Sequence, residues 1–524
     1  MFKIKIISLL ILIFSSQYLF AQEKKIEIIS ASSLDKDELL YPDANILKGS
    51  IEKKVHLRHD EMDIYSKNAI FFQKKNKFIA IGDVLLKQGD SLELKCDSLN
   101  YDGKIKKFFS YGKVSLINKM TKLESNELFY DRNKNIASFF NGGNIIDSLT
   151  TIQSEKGDYL LDIDKYKFRN DIIIINPDYT IESESLDYVI GQEKTYFLDS
   201  TKITGDSYEI TCKRGFYNGK LLKGYFIDNA KILMNDRIIK GDSIFFDDNI
   251  KYASATKQIS IFDRNEKLQI LGEFAEIFEE KDSAIVTLNP IAINTTEIDS
   301  LFISADTLYS VGDKKNRIIK GLNNVKFFKK NMSGKSDYIL IDEKKGLTRL
   351  IRKKLGNRDL QIMSQEQINQ INPIIWDGNN QISGDEIILK ENVKENKLDS
   401  LIVTNNGFII EKDTIDTNNY NQIKGIKILG KFLKGKIRSL KVDQNAEIIY
   451  HMYNDENELI GVDKALSSSI LMKIAQDGID EIIFITSPEG MLYPESFLEE
   501  NEKFLQGFVN RENEKIKSKS ELFK

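Results

Sequence analysis

Three residue types are scarce in this chain of 524 residues, which has three histidines, two cysteines and six prolines. Two cysteines exclude a small secreted scaffold held together by many disulfides. The histidines are too few for a histidine-rich metal centre. Two of them, His56 and His59, are three positions apart on a strand-like stretch, so their side chains point to opposite faces. We therefore expect no metal site and no cofactor.

Sequence fingerprints of catalysis are also missing. We find no phosphate-binding P-loop, no Gly-x-Gly-x-x-Gly dinucleotide fingerprint and no nucleophile elbow for a Ser–His–Asp triad. The formal net charge is only −4, and a nucleic-acid-binding protein would show a basic patch or a recognisable RNA or DNA motif. The chain is therefore predicted not to be an enzyme and not to bind nucleic acid.

The N-terminus has the pattern of a secretory signal peptide. Lys3 and Lys5 precede an apolar run, Ile6 to Phe14, that only Ser8 interrupts, and the small residue Ala21 follows seven positions later. The alternative is an uncleaved membrane anchor, but a spanning helix needs about 20 apolar residues. We interpret residues 1–21 as a signal peptide cleaved after Ala21, so that the mature chain is exported.

The feature the chain does have is an internal repeat. A small residue is followed five positions later by a large apolar one, as in Cys96 and Tyr101. A second series, which includes Val84 and Val114, keeps nearly the same period, and two independent series with one period indicate a repeat array. Intervals of 29 residues separate neighbouring members of the small-residue series Cys96, Ser125, Ser154, Ser183, Cys212 and Gly241.

Each repeat contains two segments of alternating polarity, which is typical of β-strands with one buried face. The alternation slips by one position just after the small residue, as a β-bulge or a corner would require. Turn-forming pairs such as Asp102-Gly103 then predict hairpins, so that consecutive strands pair antiparallel. The predicted fold is all-β: an extended, antiparallel, open β-jellyroll of two facing bent sheets, built from two-strand repeats of about 29 residues.

This architecture also predicts the state of the two cysteines. Cys96 and Cys212 occupy the same position of repeats that are four units apart. At roughly 4.8 Å per strand they would be about 40 Å apart, whereas a disulfide needs Cα atoms within about 7 Å. We expect two separate, buried thiols that act as small apolar side chains.

The regularity of the repeat suggests the organisation of the chain. Regular repeats occupy 22–290, and less regular ones occupy 291–424 with an inserted loop or short helix at 348–373. A C-terminal β segment is predicted at 425–510, and 511–524 is a charged tail that we expect to fray.

The repeat resembles a known family. The stretch "GDVLLKQGDSLELKCDSLNYDGKIKKFFSYGKVSL" is similar to the OstA-like domain shared by LptA, a periplasmic lipopolysaccharide-transport protein, and the N-terminal part of LptD. The matching features are the Gly-x-Val phrase, the Leu-x-Cys/Ser-x-x-Leu-x-Tyr phrase and their spacing. The resemblance is clearest from Lys48 to Asp263 and continues to Thr404. The C-terminal stretch looks like the tail of long OstA-like proteins of the Bacteroidota.

The resemblance implies a function. It implies a periplasmic protein that carries lipopolysaccharide towards the outer membrane with the acyl chains in an apolar groove. It implies LptC-like partners at the inner membrane and LptD-like partners at the outer membrane, joined through edge strands, and end-to-end self-association is a further expectation. The residues predicted to line the groove are Leu94, Leu99, Tyr101, Val114, Leu123, Leu128, Tyr130, Ile145, Ile181, Tyr188 and Ile203.

Other interpretations of the same pattern stay open at this stage. A structural or adhesive β-repeat scaffold with a closed core needs the same inward apolar face as a groove does. A carbohydrate-active β array would need exposed aromatic platforms, and we expect the aromatic side chains to fall in phase with the buried face instead.

Overall fold

A computed structural model describes residues 24–264, 267–295, 300–312, 316–330, 332–356, 361–395, 397–475 and 479–523. The predicted signal peptide, 1–21, lies outside the described residues. The chain divides into two compact units, of which unit 1 comprises Met1–Asp206 with Thr211–Leu221 and unit 2 comprises Ser207–Ile210 with Leu222–Lys524. The division falls within the regular repeats and not near positions 290 or 424.

Unit 1 is built almost entirely from antiparallel strands, and two short 3₁₀ turns, Gln73–Lys75 and Leu161–Ile163, lie within its hairpins, with a third at Gly219–Leu221. Its strands are β1 (Glu27–Ser30), β2 (Ser33–Asp35), β3 (Asn45–Lys48), β4 (Val55–His59), β5 (Met62–Ser66), β6 (Asn68–Phe72), β7 (Lys77–Gln88), β8 (Leu92–Asp102), β9 (Lys107–Asn118), β10 (Thr121–Asp131), β11 (Ile136–Phe139), β12 (Gly143–Asp147), β13 (Thr150–Ser154), β14 (Lys156–Leu160), β15 (Lys165–Asn176), β16 (Tyr179–Val189), β17 (Lys194–Phe197), β18 (Thr201–Gly205), β19 (Tyr208–Cys212), which contributes residues to both units, and β20 (Arg214–Asn218).

Each long strand of unit 1 takes part in two layers. The first arm of β7, 77–81, pairs with β6, whereas its second arm, 85–88, pairs with β5. In the same way β10 pairs with β11 through one arm and with β12 through the other. We call the layer that contains β6, β11 and β14 layer A, and the layer that contains β5, β12 and β13 layer B. The predicted pair of facing bent sheets is confirmed.

The corner between the two layers has a local cause in the sequence. The register of β7 against β8 shifts between the pairs Ile81–Ser98 and Val84–Cys96, the place at which the sequence alternation slips. On β7 the corner holds Gly82 and Asp83, both with positive φ, followed by the buried Val84. Glycine, asparagine and aspartate adopt this backbone region at the lowest cost. The Gly-x-Val phrase is thus the signature of a corner in which two consecutive left-handed residues turn the strand from one layer into the other.

Unit 2 repeats this arrangement, and one 3₁₀ turn, Asp248–Ile250, lies in its first hairpins. Its strands are β21 (Lys223–Met234), β22 (Arg237–Asp247), β23 (Tyr252–Asp263), β24 (Leu268–Phe278), β25 (Ser283–Thr287), β26 (Ile291–Thr295), β27 (Ser300–Ser304), β28 (Thr307–Val311), β29 (Ile318–Lys329), β30 (Met332–Asp342), β31 (Leu347–Ile351), β32 (Ile374–Asp377), β33 (Asn380–Ser383), β34 (Glu386–Asn392), β35 (Lys397–Lys412), β36 (Tyr420–Leu433), β37 (Lys436–Tyr453), β38 (Leu459–Ile474), β39 (Ile479–Ile485) and β40 (Glu489–Tyr493).

The two layers of unit 2 follow from the same pairing rule. Layer A of unit 2 contains β25, β28, β31, β34 and β39, and layer B contains β26, β27, β32, β33 and β40. The long strands contribute one arm to each layer. In β35, residues 397–404 pair with β34 in layer A and residues 408–411 pair with β33 in layer B.

Two expected boundaries in unit 2 are wrong. Residues Leu347–Ile351 form strand β31, so the insertion begins after this strand, and it contains the helix α1 (Gln365–Ile371), which Ser364 caps. The last strand ends at Tyr493, and residues 494–523, which we call the C-terminal segment, contain only short 3₁₀ turns at Glu495–Phe497, Glu500–Lys503, Glu512–Glu514 and Lys519–Leu522. This segment does not fray. Leu498 and Leu505 are buried because they pack against the strands of unit 2, and Ile516 is buried as well.

Candidate functional site

The predicted groove-lining residues all lie in unit 1, between its two layers. None of them is more than 2% exposed, because each side chain points into the interior and packs against its neighbours. Layer A contributes Leu99, Tyr101, Leu128, Tyr130 and Tyr188. Layer B contributes Leu94, Val114, Leu123, Ile145, Ile181 and Ile203. The structure brings the predicted residues together on one interior surface, and their contact with a lipid stays a prediction.

Polar contacts join the two layers of unit 1 at the hairpin ends, on the side away from the corners. Asn118 of layer B donates from Nδ2 to Tyr159 Oη of layer A at 2.6 Å. The Lys119 ammonium lies 2.7 Å from Asp164 Oδ2, and Tyr188 Oη donates to Asp147 Oδ2 at 3.1 Å. We call these cross-layer contacts. They lie along the open side of the jellyroll and hold it closed in unit 1.

The first cross-layer contact is a short hydrogen-bonded chain around His59. Nε2 of His59 lies 2.9 Å from the Lys24 carbonyl and therefore donates to it, which leaves Nδ1 to accept from Tyr101 Oη at 2.5 Å. Tyr101 Oη in turn accepts from Arg132 Nη1 at 2.8 Å. Burial lowers the pKa of His59 and raises the pKa of Tyr101 to about 12. Both side chains are therefore neutral at pH 7, as this chain of hydrogen bonds requires.

Two of the three histidines, His56 and His59, lie on opposite faces of β4, as their spacing predicted. His56 lies on the outward face of β4, with Nε2 2.6 Å from Asp63 Oδ1, whereas His59 is buried on the opposite face. No group of three or more metal-binding side chains occurs among the residues that the structure describes. Cys96 and Cys212 are both buried thiols, and burial raises the pKa of Cys96 to about 12.

Unit 2 has its own cross-layer contacts, and they become weaker along the chain. The buried Arg317 of layer A pairs through Nη2 with Asp263 of layer B at 2.9 Å. Further on, Lys329 and Glu391 are 3.5 Å apart and both about one-third exposed. Beyond this pair, we find no cross-layer hydrogen bond or ion pair at the hairpin ends of 397–475 and 479–493, the part of β35–β40 that the structure describes.

A cleft opens between the layers of unit 2 where these contacts end. Its volume is about 270 Å³, close to the lower end of the range for small-molecule sites, roughly 300–1,000 Å³. Charge is confined to its rim, where Asp377 and Glu411 lie. The apolar lining comes from Ile382, Ile409, Ile423 and Ile448 of layer B and from Leu401, Phe432, Ile437, Leu440, Met472, Ile474 and Ile479 of layer A.

A second cavity, of about 340 Å³, adjoins the cleft and shares Asp377 with it. Phe327 and Met332 line it on the side of layer B, and Ile339 and Leu389 line it on the side of layer A. The Lys329–Glu391 pair stands at its mouth. The cleft and this second cavity together form an unfilled apolar space between the layers with charged groups only at its open side.

The sequence carries a signal for the cross-layer contacts. In the layer B arm of β9 the inward residues are Val114, Leu116 and Asn118, and the last of these, next to the hairpin, is polar. His59 and Asp147 occupy the same last inward position of their strands. A polar side chain at a buried position beside a turn therefore marks a contact with the opposite layer.

One expectation about aromatic residues is wrong in part. Phe109, Tyr111, Tyr196 and Phe216 are between 38% and 43% exposed on outward faces of unit 1. Aromatic residues therefore occupy outward positions of the repeat as well as inward ones, because strand propensity favours them on either face. The ring centroids of Phe109 and Tyr111 are 6.2 Å apart.

Within the described residues, no helix is long and apolar enough to cross a membrane. The strands, the two bent layers and the interior space define an all-β jellyroll. More narrowly, residues 23–184 match the family model of the OstA-like proteins.

Other comparisons add little to this family match. A solved structure similar to part of the chain is that of LptH from Pseudomonas aeruginosa, described as the LptA-homologous periplasmic component of the conserved lipopolysaccharide transport device. The similarity covers 22% of this chain and 82% of that chain, at 11% identity and with a TM-score of 0.21. None of the curated proteins matches the chain.

Proposed function

We propose that this protein is a periplasmic carrier that binds lipopolysaccharide and moves it towards the outer membrane, with the acyl chains held between the layers of the jellyroll. The observation that carries the proposal is the unfilled apolar cleft of unit 2, in a chain whose N-terminal part matches the OstA-like family model. The proposal includes export by the predicted signal peptide.

The chemistry of the cleft suits an acyl chain. Each methylene group that leaves water contributes roughly 0.8 kcal/mol, so a chain of several methylenes is held without specific polar contacts. Lys329 and Lys330 at the mouth of the second cavity offer ammonium groups to the phosphates of a lipid headgroup. The lipid would place its acyl chains between Ile423 and Leu440 and its headgroup in water.

The predicted residues of unit 1 have a different role in this proposal. Residues such as Leu94 and Ile203 are fully buried, and the cross-layer contacts close the side from which a lipid would enter. A lipid that passes along unit 1 would therefore need these contacts to open. We propose the cleft of unit 2 as the resting site and the interior of unit 1 as a path that opens only during transfer.

The partners would join at unpaired strand edges. Among the described strands β39 pairs only with β38, so its other edge offers backbone donors and acceptors. In layer B the last strand is β40, whose Met491 and Leu492 are 58% and 47% exposed. Strand addition at such an edge is a common mode of protein recognition. We propose that LptC-like and LptD-like proteins, or a second copy of this chain, bind there and at the edge of β2.

The experiment that tests the function is photo-crosslinking in cells. A photoreactive phenylalanine analogue replaces Phe432 in the cleft, and the same analogue at the outward Tyr196 serves as the control because it is an exposed aromatic of similar size. Smaller photoreactive groups at Leu94 and Ile203 report on the interior of unit 1. We expect lipopolysaccharide adducts at Phe432 and none at Tyr196.

The same experiment separates the alternative function. If the protein is folded and exported but no inward position yields a lipid adduct, the chain is a structural or adhesive scaffold with a closed core. Adducts at Phe432 but not at Leu94 or Ile203 would limit lipid binding to unit 2 and would exclude the proposed path through unit 1.

A further inference from the structure

The C-terminal segment crosses the outer face of layer B in unit 2, transverse to the strands. Lys464 of β38 donates to the Glu502 carbonyl at 3.2 Å. Further along the segment, Lys412 of β35 lies 3.4 Å from Glu512. The Lys519 ammonium then lies 5.5 Å from the ring centroid of Phe302 on β27. The segment therefore contacts strands that are not neighbours in the sheet, although strands of a repeat array ordinarily contact only their neighbours.

Two buried glutamines on layer B bind the backbone of this segment. Gln422 on β36 donates to the Lys503 carbonyl and accepts from the Leu505 N–H, both at 2.8 Å. Gln381 on β33 makes the same pair of contacts, donating to the Val509 carbonyl and accepting from the Arg511 N–H at 2.8 Å. A primary amide has both a hydrogen-bond donor and an acceptor. Each glutamine therefore binds the backbone of the segment as the backbone of a neighbouring strand would, and this fixes which residues of the segment lie over each strand of layer B.

The insertion provides a third attachment. Asn369 of α1 donates to the Gly507 carbonyl at 2.6 Å, and the buried Arg511 donates from Nη1 to the Asn372 carbonyl at 2.8 Å. Arg511 is also paired with Glu514. The insertion at the interruption of the repeat thus has a structural partner in the C-terminal segment.

Apolar side chains cover the same face. Leu498 and Leu505 form one cluster with Phe408, Ile410, Ile449 and Val462 of layer B, and Phe508 packs against it. The residue between Phe408 and Ile410 is Ile409, which lines the cleft on the opposite face of the same strand. Likewise Ile423 follows Gln422 and Ile448 precedes Ile449. Strands β35, β36 and β37 therefore separate the cleft from the C-terminal segment.

We propose that the C-terminal segment is a brace that holds layer B of unit 2 away from layer A and so keeps the cleft open for an acyl chain. The inference rests on the proposed lipid-binding function of the cleft. Without the segment, β33, β35, β36, β37 and β38 are held only by their neighbours, and closing the cleft would bury its apolar lining. With it, Gln381 and Arg511 are positioning residues that act on the cleft through layer B, whereas Gln422 holds the segment and also reaches the cleft lining.

The chain contains its own reporter of this brace. Trp376 is the only tryptophan, is 2% exposed, and lines a small pocket together with Asn510 and Lys515 of the C-terminal segment. Release of the segment would expose the indole to water. Trp376 fluorescence and its quenching by acrylamide therefore measure whether the segment is docked, independently of any ligand.

The test compares the full-length protein with Gln422→Glu and with a chain truncated after Tyr493. A carboxylate at position 422 accepts from the Leu505 N–H but cannot donate to the Lys503 carbonyl. The matched control is Gln269→Glu, since Gln269 lies on an outward face and its Nε2 donates only to Ser260 Oγ at 3.0 Å among the hydrogen bonds described. The ligand probe is N-phenyl-1-naphthylamine, whose fluorescence rises in an apolar site.

We expect Gln422→Glu to raise Trp376 quenching and to weaken probe binding at least tenfold, with an unchanged strand signal in circular dichroism. The truncated chain should behave in the same way, and Gln269→Glu should match the unaltered protein. Probe binding that is unchanged while Trp376 becomes exposed would overturn the brace. If the truncated chain does not fold, Asn369→Asp decides together with Gln422→Glu, because it removes the donor to the Gly507 carbonyl at a residue outside the cleft lining.

Failure of the proposed function gives a different result. In that case the unaltered protein does not bind the probe at all, and amide hydrogen exchange then tests the brace. Faster exchange in β35, β36 and β37 of Gln422→Glu, relative to the unaltered protein, would support it. Unchanged exchange in those strands while Trp376 is exposed would overturn it.

Discussion

Asn118 Nδ2 and Tyr159 Oη lie 2.6 Å apart, and this hydrogen bond joins the two layers of unit 1 at their hairpin ends. Both side chains are buried, with exposed fractions of 7% and 2%. Burial raises the pKa of Tyr159 to about 12, so the phenol is neutral and accepts from Asn118 over the physiological range.

Tyr159→Phe removes the acceptor and leaves the Asn118 amide buried. We expect the free energy of unfolding of unit 1 to fall by about 1–3 kcal/mol, the cost of an unsatisfied buried donor. Urea unfolding followed by circular dichroism measures the change. Tyr196→Phe is the matched control, because its hydroxyl is on an exposed side chain, and it should change stability by less than about 0.5 kcal/mol. Equal effects of the two substitutions would contradict the role of the contact.

The pH dependence of unit 1 should depend on His59. Burial lowers the pKa of His59 in the folded state, so the unfolded state binds the proton more readily. The stability that the neutral His59 contributes is therefore fully present above the pKa of the unfolded state, about 6.5, and is lost as the pH falls below that value. Protonation also makes Nδ1 a donor that faces the Tyr101 hydroxyl.

We expect the unfolding midpoint in urea to fall between pH 7.5 and pH 5.5, and His59→Gln to remove part of that fall. His451 lies in unit 2, where burial lowers its pKa too, so that unit should show a fall of its own. An identical pH dependence in the unaltered protein and in His59→Gln would show that His59 does not control it.

Substitution by alanine should destabilise the protein more at Gly112, in a corner of the repeat, than at Gly89. Gly112 has φ +74°, and a Cβ there would lie 2.4 Å from Asp97 Oδ2, whereas Gly89, with φ +59°, has no neighbour within 4 Å. Both Gly→Ala substitutions should cost about 1 kcal/mol because of the left-handed backbone. Gly112→Ala should cost more, and Asp97→Gly should recover the difference. Thermal unfolding of the single and double variants measures it, and equal costs for both alanines would contradict the crowded corner.

Filling the interior should have opposite consequences in the two units. Ile423 faces the cleft, so Ile423→Trp has space to occupy and should change stability by less than about 1.5 kcal/mol while it abolishes binding of the naphthylamine probe. Ile145 is fully buried in unit 1, and Ile145→Trp should cost about 1–3 kcal/mol through overpacking. The two variants are compared by urea unfolding and probe titration. Intact probe binding in Ile423→Trp would place the ligand elsewhere.

The thiols should be inert in the folded protein. Cys96 and Cys212 are buried, and burial raises the pKa of Cys96 to about 12, so little thiolate forms at pH 8. We expect Ellman's reagent to titrate no thiol in the native protein and two in urea. Rapid native reaction of either cysteine would mean that the corner at its repeat opens.

The period of the sequence was sufficient to predict the bent strands, because a phase slip next to a small residue such as Cys96 has few structural solutions. The inward surface of unit 1 followed from the same alternation. The cross-layer partners did not, since the stagger of one layer against the other decides that Asn118 meets Tyr159.

The cleft of unit 2 could not be predicted from the sequence, for a different reason. An unfilled space depends on side-chain volumes and on the distance between the layers, and the alternation of Ile409 or Ile423 is the same in a filled and in an open interior. The docking of the C-terminal segment was mispredicted because its many charges suggested a frayed tail. Its buried residues, such as Leu505 and Arg511, are single positions without a period.

The contact between Lys519 and Phe302 also has a consequence for biogenesis. Residues 494–523 leave the ribosome after every strand of unit 2, so layer B stays incomplete until they arrive. Contacts of such long sequence separation form late and slow the final folding step. If the chain is exported unfolded, as the proposed function requires, the apolar face around Phe408 and Ile449 stays exposed until this segment has been translocated, and a chaperone would act in that interval.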